Sequence, residues 1–178
     1  MCGWFPSAGQ VSLSVSVGWG DTTFYATMVC GGFSSMGRTP LVCVEGSMIA
    51  ASYSIWLEDT VVHYVYAHSG SPEKGLFQED LALCHTAKAC KATMEALGIE
   101  VLPWVGQSPD MNPIENAWAE LERRLRARPT APKTKDELFN ALQEEWSAIP
   151  ESYFKELVQS MPRRVAAGVA ARVASTKY

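Results

Sequence analysis

Two carboxylates stand where phosphoryl-transfer chemistry would need them. Asp80 closes the short apolar segment GLFQEDLAL (75–83), and Glu115 sits in the first turn of NPIENAWAELERRLRAR (112–128), with 34 residues between the two acids. Cutting or joining a phosphodiester commonly uses two divalent cations roughly 3.5–4 Å apart, gripped by carboxylates, to stabilise the attacking and leaving oxygens. Mg²⁺ takes hard oxygen ligands and needs few protein contacts, so acids from separate elements suffice. Spacing alone leaves a structural alternative open. Glu115 follows Asn112 by three residues and could act as its capping-box partner while favouring the helix dipole. Asp80 could be a strand-end turn residue.

The elements that must hold these acids are legible in outline. VSLSVSVGW (11–19) alternates with period two and predicts a half-buried strand. FYATMVCGGF (24–33) and TPLVCVEGSM (39–48), joined by SSMGR, predict a hairpin. Residues 50–67 predict a helix, SGSPEKG (69–75) a loop, and GLFQEDLAL a short buried strand. TAKACKATMEALG (86–98) predicts a helix stopped by Gly98, and IEVLPW (99–104) another strand. In 112–128 Asn112 can cap and Pro113 can open a helix whose Ile114, Ala117, Trp118, Leu121 and Leu125 form one apolar stripe. KTKDELFNALQEEWSAI (133–149) repeats that pattern, and a last helical stretch from Glu151 gives way to a frayed basic tail. The order is a mixed α/β layout, whose ligand sites favour strand ends.

Bulk properties narrow the field. The 178 residues suit one domain with a real core, and 47% hydrophobic against 19% charged residues exclude wholesale disorder. Five cysteines without a CxxC pair or a His cluster argue against zinc and against a disulfide framework. The first Lys or Arg is Arg38, so no secretory leader is expected, and no apolar run nears the roughly 20 residues of a membrane span. An intracellular, reduced compartment is the expectation. Residues 1–115 hold 4 Lys/Arg against 11 Asp/Glu, and residues 116–178 hold 11 against 8. An acidic centre beside a basic flank suits metal and nucleic acid.

A resemblance adds to this reading. FQEDLALCHTA (77–87) resembles the FQQDNAPCHTA block of mariner-superfamily transposases, Sleeping Beauty type, and WVGQSPDMNPIENAW (104–118) resembles their WPxQSPDLNPIENLW block. MVCGGFSSMG (28–37), LVCVEGSM (41–48), AWAELERRLRARP (117–129), EEWSAIP (144–150) and STKY (175–178) match further segments. The resemblance spans 26–178, leaves 1–25 as an unmatched segment, and places C-terminal helices in 133–178. It implies a ribonuclease H-like fold, N-terminally truncated or altered, acting in DNA transposition and integration by strand cleavage and 3′-OH transfer. Asp80 and Glu115 would then be the second and third catalytic acids and the ligands of Mg²⁺ or Mn²⁺. DNA is the implied partner, with a homodimer on paired ends, a nuclear location, no membrane and no small-molecule cofactor.

Departures from the pattern bear on activity. The family's first aspartate lies in an early SDES-like block, and nothing in residues 1–27 matches it; Asp21 lies too close to the next strand to be expected to replace it. The paired-type DNA-binding region is likewise unmatched. Leu81 and Leu83 stand where the family has Asn and Pro. Metal binding is therefore expected to be weakened and catalysis impaired. Arg123, Arg124, Arg126 and Arg128 would hold the DNA backbone, Arg123 and Arg126 foremost; the alternative is a solvated face with pairs such as Glu120 with Arg124. His85 is expected to fix a turn, His63 and His68 to lie on the surface, and Trp118 and Trp146 to be core. A competing reading is a non-catalytic DNA-binding or protein-interaction module, or a relic without a selected role.

Overall fold

Alternating small and apolar residues make SAGQVSLSVSV the longest strand and the axis of a six-stranded sheet. The computed structural model describes residues 7–17, 25–69, 76–79, 82–102 and 112–175. Strand β1 (Ser7–Val17) pairs antiparallel with β2 (Tyr25–Ser34), from Gly9↔Phe33 to Val17↔Tyr25. On the far edge of β2 lie β3 (Gly37–Arg38) and β4 (Val42–Val44), both antiparallel, which completes the expected hairpin. On its other edge β1 runs parallel to β5 (Leu76–Gln78), with Gly9 opposite Gln78, and β5 is parallel to β6 (Glu100–Val101).

Helices cover both faces, and β2 shows how the pleat sorts them. Val29 and Phe33 face a core with α5 (Ile114–Arg126), α6 (Lys135–Ala148) and α7 (Glu151–Gln159). Cys30 joins the opposite core, with Tyr53 and Trp56 of α1 (Ala50–Trp56), Leu57 and Val61 of a π-helical turn (Leu57–Val61), and Cys90 and Met94 of α4 (Lys88–Ala96). A fully buried large apolar side chain contributes roughly 1.5–3 kcal/mol, so these two layers carry most of the stability.

The α5 stripe is buried as its spacing predicts: Ile114, Ala117, Trp118, Leu121 and Leu125. Trp118 stacks on Trp146 at 5.2 Å, and Trp146 Nε1 donates to the Thr39 carbonyl at 2.8 Å. Both tryptophans are core. Gly31 makes room for them, because a Cβ there would lie 2.6 Å from Leu41 Cδ2 and 3.3 Å from the Trp118 ring. Helix α4 ends as expected at Gly98, whose φ of 68° lets Gly98 N bond Glu95 O and Ile99 N bond Met94 O.

Three expectations need correction. The helix predicted over 50–67 is α1, the π turn and α2 (Val62–Ser69) in succession. A separate turn of helix, α3 (Leu83–Thr86), precedes α4, because Ala87 is extended (φ −58°, ψ 142°) and restarts the chain. The C-terminal stretch divides at Ser160 into α7 and α8 (Met161–Ser175), so the tail is helical through Ser175 rather than frayed. Pro162 has no N–H to continue α7, and Ser160 Oγ bonds back to the Leu157 carbonyl at 2.6 Å. The loop 70–75 lies outside the described residues, and no described helix is long and apolar enough to cross a membrane.

Candidate functional site

The end of β5 and the start of α5 are tied by one buried bond. Gln78, fully buried, donates from Nε2 to Oδ1 of Asn112 at 3.2 Å. Asn112 is 3% exposed, and the same Oδ1 accepts from Ile114 N at 3.4 Å, so Asn112 does the capping work its type predicts. Its carbonyl accepts from Glu115 N at 3.3 Å. Pro113 has helical angles (φ −68°, ψ −20°) just ahead of Ile114, within a residue of its expected opening position. Glu115 is exposed, in the first turn.

Asp80 lies outside the described residues. It is the second residue after Gln78 in the sequence. Gln78 Oε1 is buried and has no hydrogen-bond partner among the described residues. Neither amide's role was readable beforehand in full: Asn112 was legible as a cap, whereas Gln78 gave only the signal of a polar side chain in an apolar strand.

The opposite face of the same strand end carries a second buried polar group. Glu79, 7% exposed, accepts from Tyr53 Oη at 2.6 Å, and the Tyr53 ring packs on fully buried His85 with centroids 4.3 Å apart. Burial first, then the Glu79 charge, pushes the Tyr53 hydroxyl well above its ordinary 10. Strand alternation accounts for the split, since consecutive residues face opposite layers. His85 thus braces the turn, as expected, from inside the core. His63 is exposed, and the His68 side chain lies outside the described residues.

The four arginines predicted to meet DNA each meet a glutamate. Arg123 grips Glu120 through two 2.7 Å bonds, and Arg124 reaches the same carboxylate at 2.7 Å, the i,i+4 pair that sequence spacing offers. Arg123's hydrogen bonds, with Arg124 adding, hold Glu120 at about 2 against the opposing effect of burial. Arg126 pairs with Glu122 at 2.6 Å, and Arg128 bridges Glu144 and Glu145 at 2.8 Å. Arg164 of α8 donates from Nη2 to Oδ1 of Asn116, the residue after Glu115, at 2.7 Å.

Strand β1 borders β5 where a third acid would be useful, yet Ser7–Val17 contains no Asp or Glu. Asp21 is outside the described residues. Among the described residues, which exclude Asp80, no group of three His, Cys, Asp or Glu is placed to hold a metal.

Comparisons with known proteins accord with this arrangement. The model of the DDE superfamily endonuclease family matches residues 7–138. The Tc1 transposase of Caenorhabditis elegans is 36% identical over 154 residues, 86% of this chain and 55% of the relative. The Tcb1 transposase of Caenorhabditis briggsae is 35% identical over 153 residues, again 86% and 55%. The chain thus spans about half the length of these curated relatives. A solved Mos1 transposase catalytic domain with Raltegravir and Mg superposes with a TM-score of 0.79 at 21% identity, covering 93% of this chain and 83% of that one. The Mos1 mariner paired end complex with Mn gives 0.77 at 19%, covering 93% and 55%. At such identities the likeness carries the fold alone, and the fold is the expected ribonuclease H-like one.

Proposed function

This chain belongs to the DDE superfamily of endonucleases, as a mariner-superfamily transposase catalytic domain, and on that footing we propose that Asp80 and Glu115 form a DNA phosphoryl-transfer centre whose activity is impaired. The observation that carries the reading is the buried Gln78–Asn112 bond, which ties the strand leading to Asp80 to the helix bearing Glu115.

The donor types suit a hard divalent cation: two carboxylates, with the Gln78 amide oxygen buried and unbonded among the described residues. Asp80 and Glu115 would hold Mg²⁺ or Mn²⁺, which supplies Lewis-acid stabilisation of charge on the transferring phosphoryl group. The protein's own part is geometric. Gln78 and Asn112 tie the end of β5 to the start of α5, and the α5 N-terminus carries the positive end of its helix dipole next to Glu115. A phosphodiester seated there would be cut by water, releasing a 3′-OH that joins to a second strand without a covalent protein intermediate. Because β1 brings no acid, the centre is short of one ligand and one negative charge, so cation binding is weak and strand transfer slight. The setting is DNA in the nucleus, acted on by a homodimer.

A second reading, a DNA-binding or protein-interaction module without catalysis, is favoured by the acid-free β1. Nicking of supercoiled plasmid in Mg²⁺ or Mn²⁺, with Asp80→Ala and Glu115→Ala beside the wild type, separates the two. Slow metal-dependent nicking lost in both variants supports the centre. Salt-sensitive DNA binding indifferent to EDTA and to Asp80→Ala, without nicking, supports the module. Robust wild-type nicking abolished by both substitutions would contradict the impairment.

A further inference from the structure

We propose that Tyr153 of α7 and Arg164 of α8 are positioning residues for Glu115, because they hold the turn of α5 that carries it. The inference rests on the phosphoryl-transfer reading above and gives the C-terminal helices a part in it.

The first turn of a helix is its least secure, since its leading N–H groups have no partner one turn back. On α5 the turn's own bonds are long. Glu115 N reaches the Asn112 carbonyl at 3.3 Å, Asn116 N the Pro113 carbonyl at 3.2 Å, and Ile114 N the Asn112 side chain at 3.4 Å. All three exceed the usual 2.9–3.0 Å of such bonds and resist opening weakly. A carboxylate that grips a cation needs a fixed place, because a displacement of about 1 Å can cost about a hundredfold in rate.

Further bonds reach this turn from outside the helix. Arg164 Nη2 donates to Asn116 Oδ1 at 2.7 Å, and Tyr153 Oη donates to the Asn116 carbonyl at 3.1 Å. Asn116 is thus tied by its side chain to α8 and by its backbone to α7. Each tether is anchored at its other end. Phe154, next to Tyr153, is fully buried in the core that α7 shares with α5. Arg164 Nε donates to Ser160 Oγ at 2.8 Å, and that hydroxyl donates to the Leu157 carbonyl at 2.6 Å, which joins the guanidinium to the α7–α8 joint. On the other side of Glu115, Asn112 is tied to β5 through Gln78. Glu115 therefore stands between two asparagines, each bonded to another element, while fully buried Ile114 and Ala117 fix the rotation of the helix.

Amide hydrogen exchange along α5, followed by NMR, reads the hold on the turn. Titration with Mn²⁺, followed by EPR, reads its effect on a cation. Arg164→Met, Tyr153→Phe and Asn116→Ala should each quicken exchange at residues 115–118 about three- to tenfold and leave 122–126 unchanged. Each should weaken Mn²⁺ binding by a similar factor, and Arg164→Lys, which keeps one donor, should recover part of it. Asn116→Ala stays informative if the other variants fold poorly, because alanine favours a helix more than asparagine and faster exchange there cannot come from propensity. Arg38→Met, which removes bonds to the end of α6, should alter neither readout. Exchange unchanged at 115–118, or quickened evenly along α5, overturns the hold. Exchange quickened as expected while Mn²⁺ affinity stays at the wild-type value, in a protein whose binding Glu115→Ala abolishes, overturns the positioning role. Mn²⁺ binding that is absent, or indifferent to Glu115→Ala, defeats the cation-centre reading itself and the positioning role with it.

Discussion

Replacing Asn112 with leucine should cost more than its single side chain suggests, and the structure says how much. The amide oxygen serves two donors, Gln78 Nε2 at 3.2 Å and Ile114 N at 3.4 Å. Gln78 is fully buried, so Asn112→Leu strands its amide away from water. An orphaned buried donor costs about 1–3 kcal/mol, and a lost helix cap about 1 kcal/mol. The expected loss is therefore about 2–4 kcal/mol, a fall in Tm of about 4–16 °C for a chain of this size. Gln78→Leu should cost less, about 1 kcal/mol, because Asn112 keeps Ile114 N as a partner. The double variant removes donor and acceptor together, so it should be about 1–2 kcal/mol more stable than the two single losses predict. Urea unfolding followed by tryptophan fluorescence gives all four corners of the cycle. Additivity within about 0.5 kcal/mol would mean the two side chains are not coupled. The link between the β5 end and the α5 start would then lose its basis.

Tyr53→Phe removes the 2.6 Å hydroxyl contact to buried Glu79, and urea unfolding at neutral pH should show a loss of about 1.5–3 kcal/mol. Because the folded hydroxyl titrates well above 10, its contribution is complete below that pH and declines as pH rises past it, so Tyr53→Phe should also blunt alkaline unfolding. Glu120, lowered from 4.5 to about 2 by Arg123 foremost, contributes stability above 4.5 that fades as pH falls through about 2; Glu120→Gln should narrow the stability gap between neutral and pH 3. An unchanged gap would show that this partly exposed cluster contributes nothing to acid stability. Arg38→Met withdraws donors from the carbonyls of Ser147 and Ile149 at the end of α6, and the cation from over the Phe154 ring at 5.4 Å. Urea unfolding should register about 1.5–3 kcal/mol, with Arg38→Lys recovering only part because it lacks the paired donors.

Which of these features could be read from the sequence depends on how far apart their partners lie. Helix α5 was legible almost residue by residue, since its stripe, its Asn–Pro opening and its Glu120–Arg124 pair are all local. The strands around the site were legible as apolar runs but not as paired segments. GLFQEDLAL shrinks to Leu76–Gln78 and IEVLPW to Glu100–Val101, because pairing depends on a neighbour rather than on composition. The parallel docking of β1 on β5 joins Ser7 to Leu76 across a long stretch of chain, and no local pattern announces it. The same holds for Tyr53 with Glu79 and for Arg128 with Glu144 and Glu145. The bond that joins β5 to the start of α5 belongs to Gln78 and Asn112, which periodicity treats as ordinary.

The acid-free β1 is informative because folding and chemistry ask different things of that strand. The sheet needs extended backbone with alternating side chains, and Ser7–Val17 supplies it along its whole pairing with β2, from Gly9↔Phe33 to Val17↔Tyr25. A carboxylate contributes nothing to that pairing, and in the middle of a sheet covered on both faces it carries a desolvation cost that a bound cation would offset. Losing such an acid therefore spares the strand, the Gln78–Asn112 bond and the α5 N-terminus. It also spares Arg164 of α8, which bonds Asn116 and Ser160. The physical expectation is that the stability of this strand and the ligand count of the proposed centre vary independently, so unfolding measurements alone do not report on catalysis.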